Sequence, residues 1–319
     1  MGPMRPQQTM SAGTWLLLII LSIVWGGSFF FFKILVAELP PLTIVMLRVI
    51  IAAGALVAFL YATGQSLPKS AGVWRAFFIM ALLNNVIPFT LIVWGEIRIS
   101  SGLASILNAT TPVFSVLLAH FVTKQERLTP NRVVGVVLGL VGAALLIGPD
   151  ALRGFNLTSL AQIAVVVSAF LYACAAAYGR RFQAMHVSPV AVASGQLTAA
   201  AIVMIPLALA IDRPWTFTHA PSPVAWSALL ALALLSTSLA YVLYFSILAR
   251  AGATNALLVT FLTPVSALLL GALVLKEQLT MLNVAGLLVI FAGLAAIDGR
   301  IFGSRTRFRN PATNTGHPT

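Results

Sequence analysis

The chain has 319 residues, of which 60 % are hydrophobic and 8 % are charged, and its mean hydropathy is +0.99. This composition excludes a water-soluble domain and indicates an integral membrane protein. The net charge of +12 comes from lysines and arginines scattered between apolar runs, which argues against a nucleic-acid-binding groove and matches the positive-inside distribution. The single Cys174 lies in an apolar run, so neither a disulfide within the chain nor a thiolate metal site is expected.

Continuous apolar runs predict transmembrane helices, because barrel strands are short and alternate in polarity. The chain length accommodates about ten spans of about 20 residues each. The predicted spans are 14–34, 41–62, 73–94, 101–122, 131–148, 157–178, 188–211, 223–245, 252–274 and 280–298. The first run is too long for a cleaved signal peptide and is predicted to be the first span. Connections carry turn signals, among them Pro40-Pro41, Ser188-Pro189 and Pro221-Ser222-Pro223.

The second half of the sequence repeats the first at an offset of 147 to 152 residues. The matched pairs include Trp25 with Tyr172, Lys33 with Arg180, Pro41 with Pro189, Arg48 with Gln196, Arg98 with Arg250, Pro112 with Pro264 and Glu126 with Glu277. The chain is therefore predicted to consist of two homologous halves. We expect a cytoplasmic segment at 1–13, five-helix repeats at 14–150 and 151–299, and a basic disordered cytoplasmic tail at 300–319.

Lysine and arginine positions predict the orientation. With the N-terminus in the cytoplasm, thirteen lie on the inner side, five lie on the outer side and Arg48 lies within a span. This bias places both termini inside. Five helices is an odd number, so the second repeat is predicted to be inverted relative to the first, a plan that recurs in secondary transporters.

Several short motifs lie in or beside the predicted spans. They are Trp25-Gly26-Gly27-Ser28-Phe29, Arg48, Thr111-Pro112, Thr263-Pro264, Glu126-Arg127-Leu128-Thr129 and Glu277-Gln278-Leu279-Thr280. Together these features resemble the EamA family of the drug/metabolite transporter superfamily. The resemblance implies an all-α fold of ten transmembrane helices, arranged as two inverted five-helix repeats around a central cavity. It also implies export of amino acids, related metabolites or drug-like compounds across a bacterial cytoplasmic membrane.

Polar and aromatic residues inside the spans are predicted to line the substrate cavity. They are Trp25, Ser28, Phe29, Asn84, Asn85, Phe89, Ser105, Asn108, Thr111, Tyr172, Thr237, Tyr241, Tyr244, Thr260 and Thr263. Such a cavity could hold a zwitterion with an apolar side chain or a flat organic cation. The alternative is that these side chains join helices to one another and never contact substrate.

Prolines and one buried charge are candidates for moving parts. Pro88, Pro112 and Pro264 are predicted to be kinks or hinges for alternating access. Arg48 either extends to the membrane surface, caps a helix end or pairs with Glu96 in an outer gate. Three glycines in the fifth span are predicted to permit close helix packing, namely Gly135, Gly139 and Gly142.

No carboxylate is predicted at the membrane midplane, so we expect a facilitative or exchange carrier rather than obligatory proton coupling. We expect no cofactor, no metal and no enzymatic activity, because the chain has no P-loop and no plausible nucleophile–base or metal-ligand set. The predicted function is a secondary transporter that exports small metabolites from the cytoplasm by alternating access, with amino acids, including aromatic or other apolar ones, as the favoured substrates. A multidrug or organic-cation exporter is the alternative, and a channel, an intramembrane enzyme or a scaffold is more distant. The expected partners are a small-molecule substrate and the lipid bilayer, with the protein a monomer or weak dimer.

Overall fold

The computed structural model describes residues 11–122, 130–147, 157–217, 220–256, 258–278 and 280–298. Every regular element within these residues is helical, which confirms the predicted all-α class. The motif predicted at 126–129 and the tail predicted at 300–319 lie outside the described residues.

Fourteen α-helices make up the described part of the chain. They are α1 (Ala12–Leu35), α2 (Pro41–Ala62), α3 (Ala71–Ala81), α4 (Ile87–Glu96), α5 (Ser101–Asn108), α6 (Thr111–Val122), α7 (Pro130–Ile147), α8 (Leu157–Gly179), α9 (Arg181–Ala184), α10 (Pro189–Ile211), α11 (Pro223–Ala233), α12 (Ala240–Ala256), α13 (Val259–Leu273) and α14 (Met281–Asp298). Two π-helical segments join consecutive helices, Leu82–Val86 between α3 and α4 and Leu234–Leu239 between α11 and α12.

Within the described residues, seven helical segments are long and apolar enough to cross a membrane, judged by length and composition. They are Ala12–Leu35, Pro41–Ala62, Ala71–Glu96, Ser101–Leu118, Leu157–Ala184, Pro189–Ile211 and Pro223–Ala251. Three shorter apolar helices accompany them, Val133–Leu146, Leu262–Leu273 and Met281–Ala296. The chain is therefore a multi-pass membrane protein.

Serine side chains cap the start of several helices. Ser100, Ser188 and Ser222 each accept a hydrogen bond from the backbone N–H three residues later, at 3.1 to 3.3 Å. Two of these serines are followed by Pro189 and Pro223, and proline is favoured at the first helical position because its missing N–H would have no helical partner there. The turn signals predicted at these two places are confirmed.

The span predicted at 101–122 is divided in the structure. It contains α5, which ends at Asn108, and α6, which begins at Thr111. Pro112 has no N–H for the Asn108 carbonyl, and the Thr111 hydroxyl donates to this carbonyl instead at 2.8 Å. Its repeat counterpart Pro264 lies inside an unbroken helix. A role of either proline as a hinge stays a prediction.

The span predicted at 223–245 is longer than expected. The helix continues through Arg250, and α12 ends at Ala256. Alanines favour a helix, and an arginine near the membrane surface can extend its side chain into water. The next helix, α13, therefore follows after only two residues.

The helices pack in a regular set of pairs. α7 packs against α14, and α2 packs against α10. α1 lies against α13, α11 and α12, while α8 lies against α6, α5 and α4. Most of the buried apolar side chains form one continuous core between these helices.

Glycines allow α7 and α14 to cross closely. A Cβ atom on Gly293 would lie 2.7 Å from the Gly135 carbonyl oxygen and 2.8 Å from the Gly139 nitrogen. A Cβ atom on Gly142 would lie 3.0 Å from the Ile290 nitrogen. Larger residues would force the two backbones apart, so the close packing predicted for Gly135, Gly139 and Gly142 is confirmed.

Candidate substrate-binding site

Two π-helical segments lie at corresponding positions in the two predicted halves. Leu82–Val86 begins 152 residues before Leu234–Leu239, which is the offset that also relates Arg98 to Arg250. Single π-helical turns inside α-helices are frequent at functional sites. The first segment carries Asn84 and Asn85.

Asn84 and Asn85 take part in one hydrogen-bonded network. The Asn84 Nδ2 donates to the Gln196 Oε1 at 3.0 Å and lies 2.9 Å from the Tyr241 hydroxyl oxygen. The Asn85 Nδ2 lies 3.4 Å from the same hydroxyl oxygen. Three long helical segments therefore meet at polar side chains inside an apolar core.

Arg48 lies beside this network and is 4 % exposed. Its Nε donates to the Thr237 Oγ1 at 2.9 Å. Its guanidinium carbon lies 3.7 Å from the centre of the Phe89 ring and 5.0 Å from that of the Phe32 ring. Arg48 therefore neither extends to the membrane surface nor caps a helix end.

We call Arg48, Asn84, Gln196, Thr237 and Tyr241 the boundary cluster, because its hydrogen bonds join the two predicted halves. Arg48 and Gln196 are matched in the repeat. Each of them is bonded to the π-helical segment of the other half. The two links are thus counterparts of each other.

Hydroxyl groups satisfy the backbone of the second π-helical segment. The Thr237 Oγ1 donates to the Leu232 carbonyl at 2.9 Å, and the Ser238 Oγ donates to the Ala233 carbonyl at 3.1 Å, in each case five residues back. The Ser236 hydroxyl donates across to the Val24 carbonyl of α1 at 2.7 Å. These bonds give carbonyl groups in the widened turn a partner inside the apolar core.

The predicted pair of Arg48 and Glu96 is not formed. Glu96 is fully buried, and neither of its carboxylate oxygens has a hydrogen-bond partner among the described residues. The Lys33 ammonium donates to the backbone carbonyls of Glu96 and Ile99, at 2.8 and 3.0 Å. Arg48 is bonded instead to Thr237, so the sequence-based choice of partner was wrong.

Three carboxylates lie at the end of the bundle that holds Lys33 and Glu96. Each of them binds the start of a helix in the other predicted half. The Glu277 carboxylate accepts from the Ser101 N–H and hydroxyl, both at 2.9 Å. The Asp212 carboxylate accepts from the Thr43 N–H and hydroxyl, at 2.7 and 2.9 Å. Negative charge at the N-terminus of a helix is favourable.

The third carboxylate belongs to Glu38, in the connection between α1 and α2. It accepts from the Ser222 N–H at 2.7 Å and from the Ser222 hydroxyl at 2.6 Å. These hydrogen bonds lower the pKa of the Glu38 carboxyl. The bond from the Ser222 hydroxyl has the larger effect and the bond from the Ser222 N–H the smaller one.

Aromatic rings extend from the boundary cluster along α1 and α12. The Trp25 and Tyr244 ring centres are 5.6 Å apart, and Phe245 lies 5.6 Å from Tyr244 and 6.1 Å from Tyr241. Trp25 and Tyr244 pack with a small apolar cluster of α1 and α12, whereas Tyr172 packs against the main core. Ser28 and Phe29 are buried.

Among the described residues, Ser105, Asn108, Thr111 and Thr263 make no hydrogen bond to the boundary cluster. The Thr111 and Thr263 hydroxyls donate to carbonyls of their own chain segments, at 2.8 and 2.9 Å. The Ser105 Oγ and Asn108 Oδ1 are buried without a partner in the described part of the chain. Thr260 lies on α13, and a place in the cavity stays a prediction for all five.

One residue of this site, Gln196, was missed in the sequence. Gln196 could have been found from its match with Arg48 in the repeat. Phe32, whose ring faces the Arg48 guanidinium, continues the stripe of Trp25 and Phe29 along α1. Pro88 is buried next to the first π-helical segment and directly precedes Phe89.

Comparison with known proteins identifies the family. The sequence profile of the EamA-like transporter family matches residues 13–148 and, separately, residues 159–297. The chain belongs to the EamA-like transporter family. As an EamA-like chain it is a membrane transporter of a small-molecule substrate.

Several relatives of this EamA-like chain carry transporter names. It is 26 % identical over 281 residues to "Uncharacterized transporter YoaV" of Bacillus subtilis (strain 168), covering 87 % of this chain and 94 % of the relative. It is 28 % identical over 308 residues to "Probable amino-acid metabolite efflux pump" of Escherichia coli (strain K12), covering 93 % and 98 %. A similar solved structure, described as "Crystal structure of protein", has a TM-score of 0.65 at 19 % identity and covers 93 % of this chain and 100 % of that chain, which shows the fold alone.

Proposed function

We propose that this protein is a secondary transporter that exports small metabolites, amino acids first among them, by alternating access. The observation that carries this proposal is the boundary cluster, in which Arg48 and Asn84 each bind a residue of the other half inside the membrane. Buried polar groups in a membrane are costly and mark substrate pathways. Binding sites of transporters with inverted repeats lie at the interface between the repeats.

The proposed architecture is ten transmembrane helices in two inverted repeats of five. The two separate family matches support it, as do the seven long and three shorter apolar helices. The helix contacts also follow the repeat. If spans one to five correspond to spans six to ten, the contact of α1 with α13 corresponds to that of α8 with α5 and α6.

We place both termini in the cytoplasm of a bacterium and the chain in its inner membrane. The distribution of lysine and arginine supports this orientation. A relative from Escherichia coli (strain K12) is named "Uncharacterized inner membrane transporter YedA". The end of the bundle that holds Glu38, Asp212 and Glu277 then faces outwards. The hydrogen bonds of these three carboxylates, which join the two halves, would form the closed outer gate.

Amino acids are the favoured substrates. Two relatives, from Escherichia coli and Salmonella typhimurium, are named "Probable amino-acid metabolite efflux pump". The boundary cluster provides amide and hydroxyl groups beside the rings of Phe89 and Phe245, which suits a zwitterion with an apolar side chain. The neighbouring Trp25 and Tyr244 rings are the feature that would favour an organic cation instead.

Transport is proposed to follow the substrate's own gradient, by facilitation or exchange. Among the described residues, the hydrogen-bond partners and ring neighbours of the boundary cluster include no carboxylate and no histidine. A carrier driven by protons needs a group that gains and loses a proton during the cycle. We therefore expect no substrate-induced proton flux in sealed vesicles, and such a flux would contradict this part of the proposal.

The proposal is tested with purified protein in proteoliposomes. We expect saturable uptake of at least one amino acid from a labelled panel, and we expect Asn84→Ala and Tyr241→Ala to abolish it. Ser227→Ala is the matched control, because the Ser227 hydroxyl is exposed and bonds only a carbonyl of its own helix. If no amino acid is transported while organic cations are, the protein is a drug-type exporter.

A further inference from the structure

The guanidinium of Arg48 has one hydrogen-bond partner among the described residues, and its other N–H donors are unused there. Its Nε bonds Thr237, and the structure records no other hydrogen bond of this side chain to the described residues. Arg48 is 4 % exposed, and its two terminal nitrogens are not among the fully enclosed side-chain atoms that lack a hydrogen-bond partner. Four N–H donors are therefore available to a ligand.

Arg48 also has no counter-ion in the described part of the protein. Its electrostatic neighbours are Tyr172 and Tyr241, which are neutral hydroxyls at physiological pH. Glu96 interacts instead with Lys33 and Glu277. An unpaired charge in the membrane interior is expensive, and such charges in transporters are commonly balanced by a ligand.

The surroundings of Arg48 fix the orientation of its free edge. Thr237 holds the Nε edge, and the Phe89 and Phe32 rings lie against the guanidinium. The remaining edge presents Nη1 and Nη2 as a fork. This geometry matches the two oxygens of a carboxylate, which arginine binds through two parallel hydrogen bonds.

We infer that Arg48 binds the carboxylate of the transported substrate, so that the carrier selects compounds with a free carboxylate over their amides and amines. The inference rests on the proposed carrier function and names the substrate class of the same site. It also decides between the two substrates considered above. A positive charge at the centre of the site repels an organic cation, whatever the aromatic rings beside it offer.

Matched pairs of compounds test this inference in the wild-type protein, where no variant has to fold. The probes are L-phenylalanine with L-phenylalaninamide, L-leucine with L-leucinamide, and 2-phenylethylamine alone. Binding is measured as a concentration-dependent rise of the unfolding temperature of the purified protein. We expect at least one acid to bind at least about tenfold more tightly than its amide, because the amide cannot satisfy the arginine fork.

Variants then assign the selectivity to Arg48. We expect Arg48→Gln to bring each acid within about twofold of its amide, and Arg48→Lys to keep part of the preference, because lysine retains the charge and loses the fork. Arg181→Gln is the matched control, since the Arg181 guanidinium also lies 3.7 Å from an aromatic ring centre, that of Tyr178, and Arg181 is exposed. Arg181→Gln is expected to keep the wild-type preference.

The outcomes separate this inference from the proposed function. Amides or amines that bind as tightly as the acids would overturn the inference, as would acid selectivity that survives Arg48→Gln, or a protein that no acid stabilises. If acids bind as expected and no proteoliposome uptake is found, the carrier function fails while Arg48 remains a carboxylate site. Uptake without acid selectivity leaves the carrier and removes the inference.

Discussion

The Arg48 side chain and the Thr237 hydroxyl lie 2.9 Å apart, measured from Nε to Oγ1, although 189 residues separate them in the chain. Thr237 accepts this hydrogen bond and donates its own proton to the Leu232 carbonyl, so both of its hydrogen-bonding functions are occupied. One hydroxyl thus orients the buried cation and stabilises the π-helical turn.

Replacing Thr237 with valine keeps the side-chain volume and removes both hydrogen bonds. We expect Thr237→Val to lower the free energy of unfolding by about 1–3 kcal/mol, because the Arg48 Nε is left buried without a partner. Thermal unfolding in detergent measures the change, with Ser227→Ala as the control. A Thr237→Val protein as stable as the wild type would show that the hydrogen bond contributes nothing.

Replacing Glu96 with glutamine breaks no hydrogen bond of its side chain. The Lys33 ammonium binds the Glu96 backbone carbonyl, which the substitution preserves. We expect Glu96→Gln to be at least as stable as the wild type, because it removes a buried carboxylate that has no hydrogen-bond partner among the described residues. A loss of about 3–5 kcal/mol is typical of a broken buried ion pair and would mean that the Glu96 carboxylate itself forms an ion pair.

The link between Glu38 and Ser222 predicts a dependence of stability on pH. Its hydrogen bonds lower the pKa of the Glu38 carboxyl below the ordinary value of 4.5. A lowered pKa in the folded state adds stability that is fully present above about pH 4.5 and lost as the pH falls through the lowered value. Unfolding temperatures of the wild type and Glu38→Gln are expected to differ at pH 7 and to converge as the pH falls through the lowered pKa of Glu38.

The same link is open to a double-mutant test. Ser222→Ala removes both the hydroxyl that bonds Glu38 and the cap of α11. If the contact exists in solution, adding Ser222→Ala to Glu38→Gln costs less stability than Ser222→Ala alone. Fully additive effects, or a wild-type advantage that persists after Glu38 is protonated, would contradict the assignment.

The crossing of α7 and α14 predicts an intolerance to volume at Gly293. We expect Gly293→Leu to destabilise the protein by about 1–3 kcal/mol or more, because its side chain would occupy the space of the Gly135 and Gly139 backbone. Gly54→Leu is the matched control, since a Cβ atom on the exposed Gly54 would meet nothing within 4 Å. Equal unfolding temperatures for the two variants would show that the helices do not pack closely there.

Much of the fold could be predicted because it depends on local chemistry. The apolar runs and the proline and serine turn signals located the starts of α2, α5, α8 and α11 at the residues where the structure has them. The glycines of the fifth span identified a close helix crossing, because residues without a side chain allow two helix backbones to approach. Asn84 and Tyr241, predicted on different spans, are joined by a hydrogen bond.

The links of the boundary cluster could not be predicted in the same way. Arg48 is bonded to Thr237 and not to Glu96, and only the three-dimensional packing decides which polar group a long arginine side chain reaches. The π-helical turns leave no periodic pattern in the sequence. The second turn depends on the Thr237 and Ser238 hydroxyls, which bond carbonyl groups within one widened turn. The repeat match of Arg48 with Gln196 could have marked Gln196 as a site residue, but it names the partner of neither residue.

The most direct test of the proposed carrier mechanism is exchange in proteoliposomes. The measurement is the initial rate of uptake of labelled L-phenylalanine, with and without excess unlabelled L-phenylalanine inside, repeated with the Asn84→Ala protein. A carrier with its site at the boundary cluster gives saturable uptake that internal substrate accelerates and that Asn84→Ala abolishes. Uptake that rises linearly with concentration, ignores internal substrate and persists in Asn84→Ala would contradict it.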